Sequence, residues 1–140
     1  HRALECFGTT SNISLRARTY IAFAVLFLRE GKEAYAKAAF NQWEKAAHLL
    51  GNDLRRYGKV AMRLGAHLLG EGKSLAEKDQ YDQALELLHH SLKISEVHFG
   101  EHSLQVAHIL GWLGCVYQKS GDDDGALKYL ERSLAIEARH

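Results

Sequence analysis

Two stretches of this chain, YDQALELLHHSLKIS at 81–95 and DDGALKYLERSLAIE at 123–137, align at an offset of 42 residues, and no other feature of the sequence narrows its fold as much. Ala84, Leu85, Leu88, Ser91, Leu92 and Ile94 fall opposite Ala126, Leu127, Leu130, Ser133, Leu134 and Ile136. The same offset upstream pairs Leu68 with Leu110, Gly72 with Gly114 and Leu75 with Tyr117, so the register continues without a gap. A fixed period of this length marks a repeat architecture, in which each supersecondary unit buries its apolar face only against its neighbours.

Within each unit the apolar residues recur at three and four, the spacing of an amphipathic helix with one buried face. Leu104, Ala107, Leu110, Leu113, Gly114 and Tyr117 form such a stripe over 103–120, with Ser103 as N-cap and Gly121 as a left-handed stop. Asp122, Asp123 and Asp124 then offer caps and negative charge to the N-terminus of a second helix, Ala126 to Ala138. Gly114 and Ala126 are small enough for two helices to approach closely, so the unit is expected to be a helical hairpin and the fold class all-α. The chain has no proline in its 140 residues. Average usage of about 5% gives roughly seven, and an interior proline costs a helix about 3 kcal/mol, so the composition agrees.

The N-terminal half repeats the pattern more loosely. Ala39, Trp43 and Ala46 reproduce the spacing of Ala126, Leu130 and Ser133, with Tyr20 to Leu28 as the partner helix. His1 to Phe7 reads as the end of a preceding helix and Gly8 to Ser14 as a link. One repeat domain of three hairpins is expected, at about 14–50, 53–98 and 103–139. The second opens with a long helix, roughly Leu54 to Glu77, interrupted by Gly65, Gly70 and Gly72.

The segment LGCVYQKSGDDDGALKYLERSLAI resembles a tetratricopeptide repeat, with that family's small and large positions on Leu113, Gly114, Tyr117, Gly121, Ala126, Leu130 and Ser133. The period of 42, with the linker VHFGEHSLQVAHIL at 97–110, is similar to the longer kinesin light chain subtype. Gly100, His102, Val106 and Ala107 fit its linker, while Ser103 stands where a proline is usual. The resemblance covers about 60–140. It implies an α-solenoid, a right-handed superhelix of antiparallel hairpins with about six helices, whose end hairpin exposes Leu127, Leu134 and Ile136 unless further repeats cover them.

Charge and cysteine content remove several function classes. Lys plus Arg total 18 against 17 Asp plus Glu, a net charge of +1, too weak a field for long-range capture of nucleic acid or an anionic membrane. The most apolar run, Tyr20 to Leu28, has nine residues where a spanning helix needs about 20. Cys6 and Cys115 cannot build the disulfide framework of a small secreted domain, so a reducing, cytoplasmic setting is expected. The chain lacks both an initiator Met and a signal peptide, and the expectation is a fragment flanked at both ends by further repeats or domains.

Nor does the sequence assemble a catalytic or metal-binding constellation. GEGKS at 70–74 has the Lys and Ser of a phosphate loop but not the first glycine or the preceding strand. His98 and His102 with Glu101, and His89 with His90, invite a zinc reading, yet Gly100 breaks the helix between the first pair and no standard ligand spacing results. Cys115 is two turns from His108, too far to be activated by it. Asp122 to Asp124 lack further spaced oxygens for a cation and serve more simply as caps. Arg55, Arg56, Lys59 and Arg63, with Tyr57 among them, make the best basic patch, and a solvated helix face is the simpler account of it than a phosphate contact. No enzyme, cofactor or metal is expected.

The resemblance instead implies a partner-binding groove lined by the first helix of each hairpin. Its positions here are His108, Gly111, Trp112, Cys115, Gln118 and Lys119, and in the preceding unit Ala66, Leu69, Gly70, Lys73 and Glu77. The family's carboxylate clamp of Lys and Asn is replaced by Leu69, Lys73, Gly111 and Cys115, and the Asn pair of kinesin light chains by Gly111 and Trp112. Trp112 is either an apolar anchor for a partner, as Trp often is at binding hot spots, or packed against a neighbouring helix. The expected function is a protein-interaction scaffold taking a peptide or helix, with His108, Gln118, Lys119 and Lys73 as polar contacts. The alternative is a regulatory repeat segment of a larger signalling nucleotide hydrolase or other multidomain protein.

Overall fold

The computed structural model describes residues 8–30 and 33–140, and the described residues form α-helices joined by short turns, with no strand. The helices are α1 (Gly8–Glu30), α2 (Glu33–Leu50), α3 (Gly58–Glu77), α4 (Tyr81–Phe99), α5 (Leu104–Ser120) and α6 (Asp123–Glu137), with a 3-10 turn at Gly51–Tyr57. The chain forms two compact units, His1–Leu64 and Gly65–His140.

In the first unit α1 packs along α2. Alanines make the close approach: Ala17 and Ala24 of α1 and Ala36, Ala39 and Ala46 of α2 are buried, with Ile21, Phe40 and Trp43 filling the space between. Phe27 meets Tyr35 at 5.4 Å between ring centroids, and the Lys45 ammonium sits 5.6 Å over the Tyr20 ring. The Ala39, Trp43, Ala46 spacing thus belongs to a buried helix face. The link expected at Gly8 to Ser14 is instead the start of α1; its Thr, Ser and Asn residues are poor helix formers, but propensity is a weak prior that neighbouring turns override. His1 to Phe7 lies outside the described residues, as does Cys6.

The long helix expected from Leu54 begins only at Gly58, because Gly51 turns the chain with φ +54° and a 3-10 segment follows. From there α3 runs unbroken through Gly65, Gly70 and Gly72. Close packing explains one of these glycines better than interruption does. A Cβ on Gly72 lies 2.9 Å from the Leu88 side chain, whereas one on Gly65 makes only ordinary contact, 3.9 Å from Ser91 and Ile94.

In the second unit α4 lies against the part of α3 from Gly65 onward and α5 packs on α6, and the two pairs are built alike. Ser91 Oγ donates to the Gly65 carbonyl at 2.9 Å, and 42 residues on Ser133 Oγ donates to the Ala107 carbonyl at 2.8 Å. Gly114 stands to Leu130 and the Ala126 carbonyl as Gly72 stands to Leu88 and the Ala84 carbonyl. The stop and start signals also act as their residue types require. The Ser103 side chain accepts from Val106 N at 3.2 Å, Gly121 ends α5 at φ +95°, and Asp122 caps α6 by accepting from Gly125 N at 2.9 Å. Leu127 and Leu134 are exposed, as expected for an end hairpin. Ile136 is not: it is 2% exposed, because its turn of α6 places it with Ser133 on the face toward α5.

Candidate functional site

The residues expected to line a binding face divide into two neighbouring groups. The first gathers around Trp112 of α5. Lys73, near the end of α3, places its ammonium 4.9 Å over the Trp112 ring and donates to His108 Nε2 at 3.4 Å. This cluster joins the two hairpins: residues 108 and 112 are one helical turn apart on α5, and Lys73 reaches them from 35 positions upstream. A cation over an indole face is worth about 0.5–1 kcal/mol when exposed. Among the described residues, no carboxylate pairs with Lys73. Leu69 lies one turn before Lys73 on the same side of α3 and is half-buried.

A second group lines an open cleft of about 480 Å³ between α5 and α6. Ala107, Gly111 and Cys115 line it from α5, and Leu130, Ser133, Leu134 and Glu137 from α6, with His108 and Trp112 on the shared rim. A Cβ on Gly111 meets only Ser133 Oγ, at 3.8 Å, so the floor of the cleft has room there. Cys115 is a free, exposed thiol. Gln118 and Lys119 are exposed nearer the end of α5 and join neither group.

A further polar cluster sits on the surface between the hairpins. Tyr117 Oη and His89 Nε2 are hydrogen-bonded at 2.9 Å, and the Tyr117 ring stacks on Tyr129 with ring planes 5° apart. The His89 ring also meets the Tyr129 ring edge at 5.6 Å. Burial, and then the Lys128 charge, push the His89 pKa below its ordinary 6.5. Burial, followed by the neighbouring Tyr129, raises the Tyr117 phenol above its ordinary value. Sequence reasoning weighed His89 as a metal ligand with His90. The signal it missed was the register: Tyr117 lies on the α5 stripe at the position of Leu75, where a longer side chain reaches across to α4.

The other histidines are equally dispersed. His140 Nε2 meets the His102 carbonyl at 2.9 Å, and burial lowers the pKa of His98. Among the described residues no three His, Cys, Asp or Glu side chains converge as metal ligands, and no helix is long and apolar enough to cross a membrane. GEGKS lies inside α3 as continuous helix, and Arg55, Arg56, Lys59 and Arg63 are all exposed.

A family model described as tetratricopeptide repeat matches residues 63–137, more than half of the chain. No curated protein gives a match.

Proposed function

The chain belongs to the tetratricopeptide repeat family, and from that premise we propose that it is a non-catalytic scaffold that captures a peptide or helix of a partner on the face formed by Lys73, His108 and Trp112. Repeats of this family are generally protein-interaction scaffolds and typically lack catalysis. The observation that carries the reading is the Lys73–Trp112–His108 cluster, which sets a broad aromatic surface beside an ammonium that has no carboxylate partner among the described residues. Trp112 supplies apolar area at low entropic cost, and Lys73 favours an acidic group or a backbone carbonyl from the partner. Gln118 and Lys119 extend the same helix and add polar contacts to a longer ligand. Leu69 widens the apolar part.

The shared construction of the hairpins at a 42-residue spacing supports assigning the repeats to the long kinesin light chain-like subtype. In that comparison Trp112 stacking takes the place of backbone capture by an Asn pair. A cytoplasmic setting and flanking repeats fit the same reading.

The test is to select a peptide from a random displayed library against the protein and measure its affinity calorimetrically. Trp112→Ala is expected to weaken binding by about 2 kcal/mol, some thirtyfold, while the helical circular dichroism is kept. Lys73→Glu is expected to weaken acidic peptides further. Unchanged affinity in Trp112→Ala, with the fold intact, sinks the site.

A further inference from the structure

We propose that the face formed by Arg55, Arg56, Lys59, Met62 and Arg63 is a docking surface for an acidic amphipathic helix of a protein partner. All five residues lie within the first compact unit, whereas Lys73 and Trp112 belong to the second.

From Leu54 to Gly70 the chain carries four Lys and Arg residues and no carboxylate, a stretch that the overall net charge of +1 conceals. Arg55 and Arg56 lie in the 3-10 turn, one turn ahead of Lys59, and Arg63 follows Lys59 by one turn of α3. All four are exposed. Residues three and four apart on a helix are neighbours, and like charges at those spacings disfavour it. Arg55 with Lys59, Arg56 with Lys59, and Lys59 with Arg63 are such pairs. The usual solvated face alternates its signs, so that each charge has an opposite one a turn away. Here the repulsion is not offset. Among the described residues none of the four forms an ion pair, not even with Asp53, and the first turn of α3 has no acidic residue.

Apolar exposure falls in the same place. Met62, the chain's single methionine, is 57% exposed between Lys59 and Arg63, and Tyr57 is half-buried beside Arg56. Arg, Tyr and Met are side chains enriched at protein–protein interfaces. Arginine also presents a planar fork that meets a carboxylate with two hydrogen bonds. A phosphate backbone would use the cations but not Met62, so the surface fits a protein better than a nucleic acid.

Spacing sets the form of the occupant. Neighbouring cations one turn apart on this face repeat at about 5–6 Å. A partner helix with Glu or Asp at i, i+4 and i+8 presents carboxylates at the same interval, whereas same-side residues of an extended strand recur at about 6.7 Å. The occupant is therefore a helix with that acidic row and a Leu or Met beside it to cover Met62.

The probe is a fluorescein-labelled, end-capped peptide of Ala and Gln with Glu at i, i+4 and i+8 and Leu beside that row, titrated into the protein at low ionic strength and followed by anisotropy. Saturable binding is expected, weakened by added salt, about fivefold by Arg63→Glu and about twofold by Met62→Ser. Lys78→Glu alters the net charge equally on an exposed turn elsewhere and is expected to leave the affinity unchanged. The replaced side chains are exposed, so the fold is kept, which thermal melting checks. A peptide with Gln for each Glu is expected not to bind. Absence of saturable binding, or binding indifferent to Arg63→Glu or to Met62→Ser, overturns the proposal. So does equal weakening by Lys78→Glu, or equal binding of a peptide with the same residues scrambled. Tighter binding of a single-stranded oligonucleotide of equal charge overturns it by assigning the face to nucleic acid. Weakening by Lys73→Glu with Arg63→Glu without effect overturns it by placing the acidic helix at Trp112.

Discussion

The hairpins α3–α4 and α5–α6 are the same construction in two surroundings. Each locks its helices with a serine bonded to a main-chain carbonyl of the facing helix and with a leucine seated on a glycine. They differ in what lies on their outer face. In the first, α5 packs on α4 and Leu92 is core. In the second, no described helix lies on α6, and Leu134 and Leu127 are surface. The comparison teaches that in a repeat the sequence pattern specifies a surface able to be buried, and the neighbouring unit decides whether it is.

The largest expected effect breaks this symmetry directly. Leu92→Ala removes buried methyl groups and leaves a cavity, costing about 2–3 kcal/mol, whereas Leu134→Ala stays within about 0.5 kcal/mol. Urea unfolding of the two variants measures the difference, and equal costs would mean that the two faces are equally covered in solution.

The next effect separates two glycines on one helix. A Cβ on Gly114 falls 2.5 Å from Leu130 Cγ and 3.3 Å from the Ala126 carbonyl, so Gly114→Ala forces the hairpin apart. Overpacking costs about 1–3 kcal/mol, only partly offset by the roughly 1 kcal/mol helix advantage of alanine. Gly111→Ala has room, keeps that advantage, and is expected to raise the melting temperature. If Gly114→Ala also stabilises, the helices are not in the close contact described.

The smallest effect is a pH dependence confined to the covered side. His89 and His98 both have pKa values below 6.5 in the folded chain because they are partly buried. As pH falls through 6.5, the unfolded chain binds protons that the folded chain does not, so stability is complete above that pH and declines below it. The position equivalent to His89 in the second hairpin is the exposed Glu131. His89→Gln is therefore expected to flatten the decline of melting temperature between about pH 7 and 5. A slope identical to that of the unaltered chain would show that His89 is not the group responsible.

Much of the fold was legible from residue types alone. Ser103, Gly121 and Asp122 are local signals that act within one helical turn, and each caps or stops a helix as its chemistry requires. The glycines of α3 misled for the same reason. Gly72 read locally as a break, but its lack of a side chain is used by Leu88 on another helix. Ile136 was misjudged because one position on a helix separates the face toward α5 from the face toward solvent. For the candidate site, the family resemblance put Trp112, His108 and Lys73 in one expected groove. It gave no distance between Lys73 and Trp112, which depends on how two hairpins stack.

By itself, then, the sequence determined the helices, the 42-residue unit and the positions of small residues at each crossing. These follow from periodicity and backbone chemistry, which are properties of neighbours along the chain. Only the tertiary structure decided that Leu92 is core while Leu134 is surface, that His89 bonds Tyr117, and that Lys73 rests on Trp112. Burial and pairing across 28 to 39 residues depend on which surfaces meet, and repeated sequence offers the same surface more than once.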